Sequence, residues 1–209
     1  MLGRHIFINR RQVIRCCLSP PSLKKRVFSK GLDIVTEEFA RHFGLSYHFR
    51  KVIIMETQDM KQIVLEISKQ SFEEKLFAGT SGNLSVYNPE SGLIAITPSG
   101  VSYTTMQVND ILIINVEGKV IEGTNKPSSE WRMHTTIYQS RPDINAVVHT
   151  HSPYATGFAV ANKAIPAILV EMIPFIGGDI PVAEFGYPGT AELGHSALRV
   201  LHNRYSCIL

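Results

Sequence analysis

The 209-residue chain is predicted to be an α/β domain with a largely antiparallel or mixed sheet. Two patterns predict it: short apolar runs joined by turn sequences in the middle of the chain, and helical periods separating strands further on. A hydrophobic fraction of 44% with mean hydropathy +0.03 adds that the chain has enough apolar residues for one ordinary globular core.

The first confident element starts at Asp59, where Ile63, Ile67 and Leu76 with their neighbours recur at a helical period and Gly79 supplies a stop. Residues 84–87 and 93–97 read as strands joined by a hairpin through Asn88 to Gly92. Pro98, Ser99 and Gly100 make a turn, and residues 111–116 and 119–121 pair around Glu117 and Gly118. A helix follows over 128–139, capped by Ser128 or Ser129 and ended by Arg141 and Pro142. Residues 146–150 form a strand, 154–161 a helix, 180–183 a short strand and 190–202 a helix, and 206–209 open a further strand.

Charge divides the chain. Residues 1–56 carry eleven Lys and Arg against four Asp and Glu, whereas residues 57–209 carry ten against fourteen. The basic balance therefore belongs to a leader, and the mildly acidic body gives no basis for nucleic-acid binding. Residues 1–30 resemble a transit peptide in composition, with eight Lys or Arg and no acid. They lack a sustained amphipathic period, and Met55 and Met60 are alternative starts, so residues 1–56 are expected to be disordered or a mis-assigned leader before a domain over 57–209. A helix pair around Gly44 is a weaker expectation within it. No apolar run is long enough for a membrane helix. Cys16, Cys17 and Cys207 make no even disulfide framework, which fits a reducing, cytoplasmic setting.

The sharpest chemical signal is His149 and His151 at the end of the 146–150 strand. Positions i and i+2 of a strand share a face, so the two imidazoles can converge as half of a metal site, although single histidines are more often hydrogen-bonded core or surface residues. Imidazole suits Zn, Fe, Cu or Ni alike. Glu130 stands at the start of the 128–139 helix, where the helix dipole favours a carboxylate without any function and where an acid/base group over a metal could also sit. Ser128 and Ser129 are either caps or anion-binding hydroxyls. The turns containing Gly82 and Asn83, and Ser99 and Gly100, are ordinary turns or phosphate cradles. His134, one turn after Glu130, is expected to pack the helix, and His195 and His202 to lie at the surface.

Several segments in one order resemble the class II aldolase/adducin family, most closely its L-fuculose-1-phosphate aldolase type. They are Gly-Thr-Ser-Gly-Asn-Leu-Ser (79–85), Ile-Thr-Pro-Ser-Gly (96–100), Pro-Ser-Ser-Glu-Trp-Arg-Met-His (127–134), Tyr-Gln-Ser-Arg-Pro-Asp (138–143) and Ala-Val-Val-His-Thr-His-Ser (146–152). Ile-Pro-Ala (165–167), Gly177 with Gly178, and Gly-Thr-Ala-Glu-Leu (189–193) continue the series. The resemblance implies a three-layer α/β/α fold with a mostly antiparallel central sheet and a homotetramer with active sites between subunits. It implies one Zn2+, or another divalent metal, per subunit held by His149, His151 and Glu130, with Glu130 also as acid/base. Gly82, Asn83, Ser99, Gly100, Ser128 and Ser129 would hold the phosphate of a small sugar. The implied reaction is cleavage of a ketose 1-phosphate to dihydroxyacetone phosphate and an aldehyde. Sugar-phosphate 4-epimerases and methylthioribulose-phosphate dehydratases of the same family, and adducin-like modules without catalysis, are the alternatives; the epimerases tend to carry Asp where this chain has Glu130.

The chain departs from the family pattern twice. The family's third histidine ligand follows the strand that opens at Ser206, and this chain ends at Leu209, so a C-terminally truncated member is expected. The aldolase tyrosine that protonates the leaving group would align near Val170, with Glu171 and Tyr187 as neighbouring candidates.

Overall fold

The structure is a computed structural model that describes residues 55–209 and the backbone of residues 5–7. The leader's expected helix pair, Cys16 and Cys17 lie outside the described residues. Among the described residues seven strands form one sheet in the order β5-β4-β3-β2-β6-β1-β7, and every neighbouring pair is antiparallel. They are β1 (His5–Phe7), β2 (Asn83–Asn88), β3 (Leu93–Ile96), β4 (Leu112–Asn115), β5 (Val120–Glu122), β6 (Ala146–Thr150) and β7 (Ser206–Ile208). The helices are α1 (Thr57–Glu73), α2 (Trp131–Ser140), α3 (Pro153–Val160), α4 (Met172–Ile176) and α5 (Ala191–Leu201).

Period-two alternation sorts the strand residues into two cores, one on each face of the sheet. Ile94, Ile96, Leu112, Ile114, Val147 and Cys207 point to one face, where Met133, Ile137 and Tyr138 of α2 and Leu193, Ala197 and Leu201 of α5 cover them. Leu84, Val86, Ala95, Ile113 and Ala146 point to the other face and meet Met60, Val64, Leu65 and Ile67 of α1. The result is three layers, helix–sheet–helix, with the mostly antiparallel sheet in the middle.

Several boundaries differ from the sequence reading. Helix α1 ends at Glu73, six residues ahead of Gly79, and the turn is made by Lys75 in the left-handed region at φ 61°. Helix α2 begins at Trp131 rather than at 128: the hydroxyl of Ser128 accepts the Glu130 N–H (3.3 Å), and a tight turn over 128–131 precedes the helix. Residues 180–183 are not a ladder strand but isolated bridges, Ile180 to Ile165 and Val182 to Ile208. Strand β1, which was not foreseen, lies between β6 and β7 and pairs Ile6 with His149 and with Cys207. Among the described residues no helix is long and apolar enough to cross a membrane.

Candidate active site

Three connections and one strand end meet at a cavity of about 280 Å³. The segment before β2 contributes Thr80, Ser81 and Gly82, and the first residue of β2 contributes Asn83. The turn after β3 gives Pro98, Ser99 and Gly100, the turn before α2 gives Ser128, Ser129 and Glu130, and the end of β6 gives His149 and His151. Gly82, Asn83, Ser99, Gly100, Ser128, Ser129, Glu130, His149 and His151, scattered over 70 positions, thus face one space. Thr80, Ser81 and Pro98 were not singled out in the sequence. Thr80 and Ser81 lay inside the Gly79–Asn83 turn already suspected of binding an anion, which was the available signal.

Backbone hydrogen bonds hold the walls together. The N–H of Ser99 donates to the Lys126 carbonyl (2.8 Å), and that of Ser128 donates to the Thr97 carbonyl (3.0 Å), so the second and third turns are laced to each other. Tyr103 donates its hydroxyl to the Gly82 carbonyl (2.7 Å), which anchors the first wall. Gly82 itself is required twice over: its φ is +89°, and a Cβ there would come within 2.3 Å of the Phe77 ring. The N–H groups of Ser99 and Ser128 are thus engaged within the loops, and their hydroxyls are what these residues can offer a ligand. The Ser128 hydroxyl accepts from Glu130 and keeps its own proton to donate.

His149 and His151 have ring centroids 5.2 Å apart and planes tilted by 31°. The shared face expected from their spacing is therefore present. His149 is buried, on the last turn of the ladder opposite Asn83, whose side-chain amide lies 3.2 Å from His149 Nδ1. His151 lies just beyond the strand and donates its backbone N–H to the Leu76 carbonyl (2.9 Å). Glu130 is also buried, at the N-terminus of α2, where the helix dipole stabilises its charge.

The donor set suits a divalent cation in kind: two imidazoles on one cavity, one of them with its second ring nitrogen engaged by an amide. Among the described residues, however, no three His, Cys, Asp or Glu side chains come together as a ligand group. Glu130, from the turn before α2, and the two histidines, from the end of β6, line the same cavity. Glu171 and Tyr187 are exposed, as is Val170, and none of them lines the cavity.

His134 is the residue whose setting most exceeds the sequence reading. It packs the helix as expected and is fully buried, but both ring nitrogens are also hydrogen-bonded, Nδ1 to Ser85 Oγ and Nε2 to Asn83 Oδ1 (2.6 Å each). Burial lowers its pKa to about 3, so the ring is neutral. The Cys207 thiol, pushed up to about 12 by burial, is not a nucleophile.

The family profile described as Class II Aldolase and Adducin N-terminal domain matches residues 62–209. The 5-deoxy-D-ribulose 1-phosphate aldolase of Bacillus thuringiensis serovar kurstaki is 40% identical over 152 residues, covering 73% of this chain and 71% of the relative. The L-ribulose-5-phosphate 4-epimerase UlaF of Salmonella paratyphi B is 42% identical over 124 residues, covering 59% of this chain. The chain spans 54% of that epimerase's length. Among solved structures, an L-fuculose 1-phosphate aldolase superposes with TM-score 0.67 at 41% identity, covering 73% of this chain and 71% of its own.

Proposed function

The chain belongs to the class II aldolase and adducin N-terminal domain family, and from that premise we propose a metal-dependent aldolase that splits a ketose 1-phosphate into dihydroxyacetone phosphate and an aldehyde. The observation that carries this reading is the meeting of Glu130, His149 and His151 with three hydroxyl- and glycine-bearing turns around one small polar cavity. Glu130, rather than the Asp expected of the epimerases, favours the aldolase.

The phosphate lies against Gly82, Asn83, Ser99, Gly100, Ser128 and Ser129, where hydroxyl donors and the positive end of α2 favour a dianion. Holding it there fixes the sugar carbons relative to Glu130, which lowers the entropic part of the barrier. A divalent cation on His149 and His151, for which zinc is the proposed identity, supplies Lewis-acid polarisation of the C2 carbonyl and charge stabilisation when bound. In cleavage the C3–C4 bond breaks, its electron pair passes into the C3–C2–O unit as an enediolate, and the C4 hydroxyl gives its proton to solvent water as it becomes the aldehyde carbonyl. Glu130 delivers a proton to C3 and so completes dihydroxyacetone phosphate; in the synthetic direction it removes that proton.

A second copy of the chain is the proposed macromolecular partner, as a homotetramer. Nine of the eleven large apolar side chains exposed among the described residues fall between 154 and 187, which supports this reading.

The test is product analysis of the purified protein with zinc on a panel of ketose 1-phosphates and a ketopentose 5-phosphate. Release of dihydroxyacetone phosphate, abolished by a chelator and restored by the metal, is expected. Inversion at C4 without that product identifies an epimerase. Loss of water from a 1-phosphate identifies a dehydratase, and an inert protein that takes up no cation identifies an adducin-like module.

A further inference from the structure

A line of buried polar side chains runs away from the cavity between β2 and α2. His134 and Tyr138 are four residues apart on the helix, and Asn83, Ser85 and Tyr87 alternate along the facing side of the strand. Tyr138 stacks on Tyr87 with centroids 4.9 Å apart. Ser85 Oγ is 2.6 Å from Tyr138 Oη and 2.6 Å from His134 Nδ1. His134 Nε2 is 2.6 Å from Asn83 Oδ1, and Asn83 Nδ2 is 3.2 Å from His149 Nδ1. His134 does not line the cavity, yet one amide links it to a histidine that does.

Donor and acceptor rules allow this line two self-consistent arrangements. With the Asn83 amide oriented as in the structure, the pairing requires that His134 Nε2–H donates to Asn83 Oδ1, Asn83 Nδ2–H donates to His149 Nδ1, and the Ser85 hydroxyl donates to His134 Nδ1. A neutral His149 then carries its proton on Nε2, and Nε2 has no lone pair for a cation. Turning the Asn83 amide by half a rotation reverses every link. Asn83 Nδ2–H then donates to His134 Nε2, and Asn83 Oδ1 accepts from His149 Nδ1–H. His134 Nδ1–H donates to Ser85 Oγ, the Ser85 hydroxyl donates to Tyr138 Oη, and Tyr138 donates to the Ser85 carbonyl, which already lies 3.0 Å away. Each ring keeps one proton, so the charge is unchanged. Only the reversed arrangement gives His149 Nε2 a lone pair.

We propose that cation uptake at His149 is coupled to reversal of this relay, and that Ser85, His134 and Asn83 are positioning residues that select the ligating tautomer. The inference rests on the reading of His149 as a metal ligand and deepens it. It explains why a histidine, a serine and a tyrosine occupy a region otherwise filled by apolar side chains.

The experiment is long-range 1H–15N NMR of the histidine-labelled chain, with and without saturating Zn2+, and with signals assigned using His134→Gln. Without cation the proton of His134 is expected on Nε2; with cation it is expected on Nδ1, although this residue does not line the cation's cavity. Asn83→Asp accepts from both rings, so its metal-free spectrum should already show His149 protonated on Nδ1. A His134 proton that stays on Nε2 through saturation, or a metal-free Asn83→Asp spectrum in which His149 Nδ1 is unprotonated, overturns the relay while leaving the metal site standing. Failure of the wild-type chain to take up any cation overturns both.

Discussion

His134 is neutral because the folded chain buries it, and that neutrality has a measurable cost in acid. Its pKa falls from 6.5 to about 3 on folding. Between those values the unfolded chain binds more protons than the folded one, so this group's contribution to stability is intact above about pH 6.5 and declines as pH falls towards 3. The slope it adds is at most ~1.4 kcal/mol per pH unit. Chemical denaturation from pH 7 to 4 should show a shallower loss of stability in His134→Gln than in the parent. Glu130→Gln removes a proton carrier without changing shape, so kcat for cleavage should fall about 10²- to 10⁴-fold while zinc uptake is retained. The shared face of His149 and His151 at the end of β6 was legible at this scale because period-two geometry is rigid. The relay was not, because reading it requires the pairing of Asn83 with His149 and the docking of α2 on β2, neither of which is written in local spacing. Its trace in the sequence is the coincidence of His134 and Tyr138 at helical spacing with Asn83, Ser85 and Tyr87 at strand spacing.

Local chemistry located most elements and misjudged several ends. Strand β6 was read with its observed limits because an apolar run stops at a polar histidine pair. The end of α1 was misplaced because Lys75 adopts the left-handed turn that Gly79 was expected to supply, and no sequence rule foresees a lysine at φ 61°. Helix α4, five residues long and closed by Gly177 at φ 92°, is too short for a periodic signal. Strand β1 was missed because three residues in a basic leader carry no alternation to detect, and the pairing that makes them a strand comes from β6 and β7. Where a turn is sterically determined, its consequences are testable. Gly82→Ala forces an L residue to φ +89° and its Cβ into the Phe77 ring, so the thermal midpoint should drop, corresponding to roughly 1–3 kcal/mol, and phosphate-bearing ligands should bind more weakly.

For the molecule as a whole, the two cores on opposite faces of one antiparallel sheet explain why residues from four distant segments meet at one sheet end. The fold class was legible because hairpins and helical periods are local. The residues that meet at the cavity were picked out through the family resemblance, which linked turns whose individual readings were ambiguous. The exposed apolar side chains between 154 and 187 predict self-association: sedimentation velocity should give a tetramer, and charged substitutions such as Val170→Glu and Ile173→Glu should shift it towards smaller species. The central claim is that Glu130 moves a proton at a carbon whose negative charge a cation on His149 and His151 stabilises. The most direct measurement follows deuterium entering C3 of dihydroxyacetone phosphate in heavy water, with no aldehyde present, so that the unknown sugar does not matter. Exchange that requires zinc and is lost in Glu130→Gln is predicted; exchange at the same rate in Glu130→Gln, or none in the zinc-loaded parent, would contradict the account.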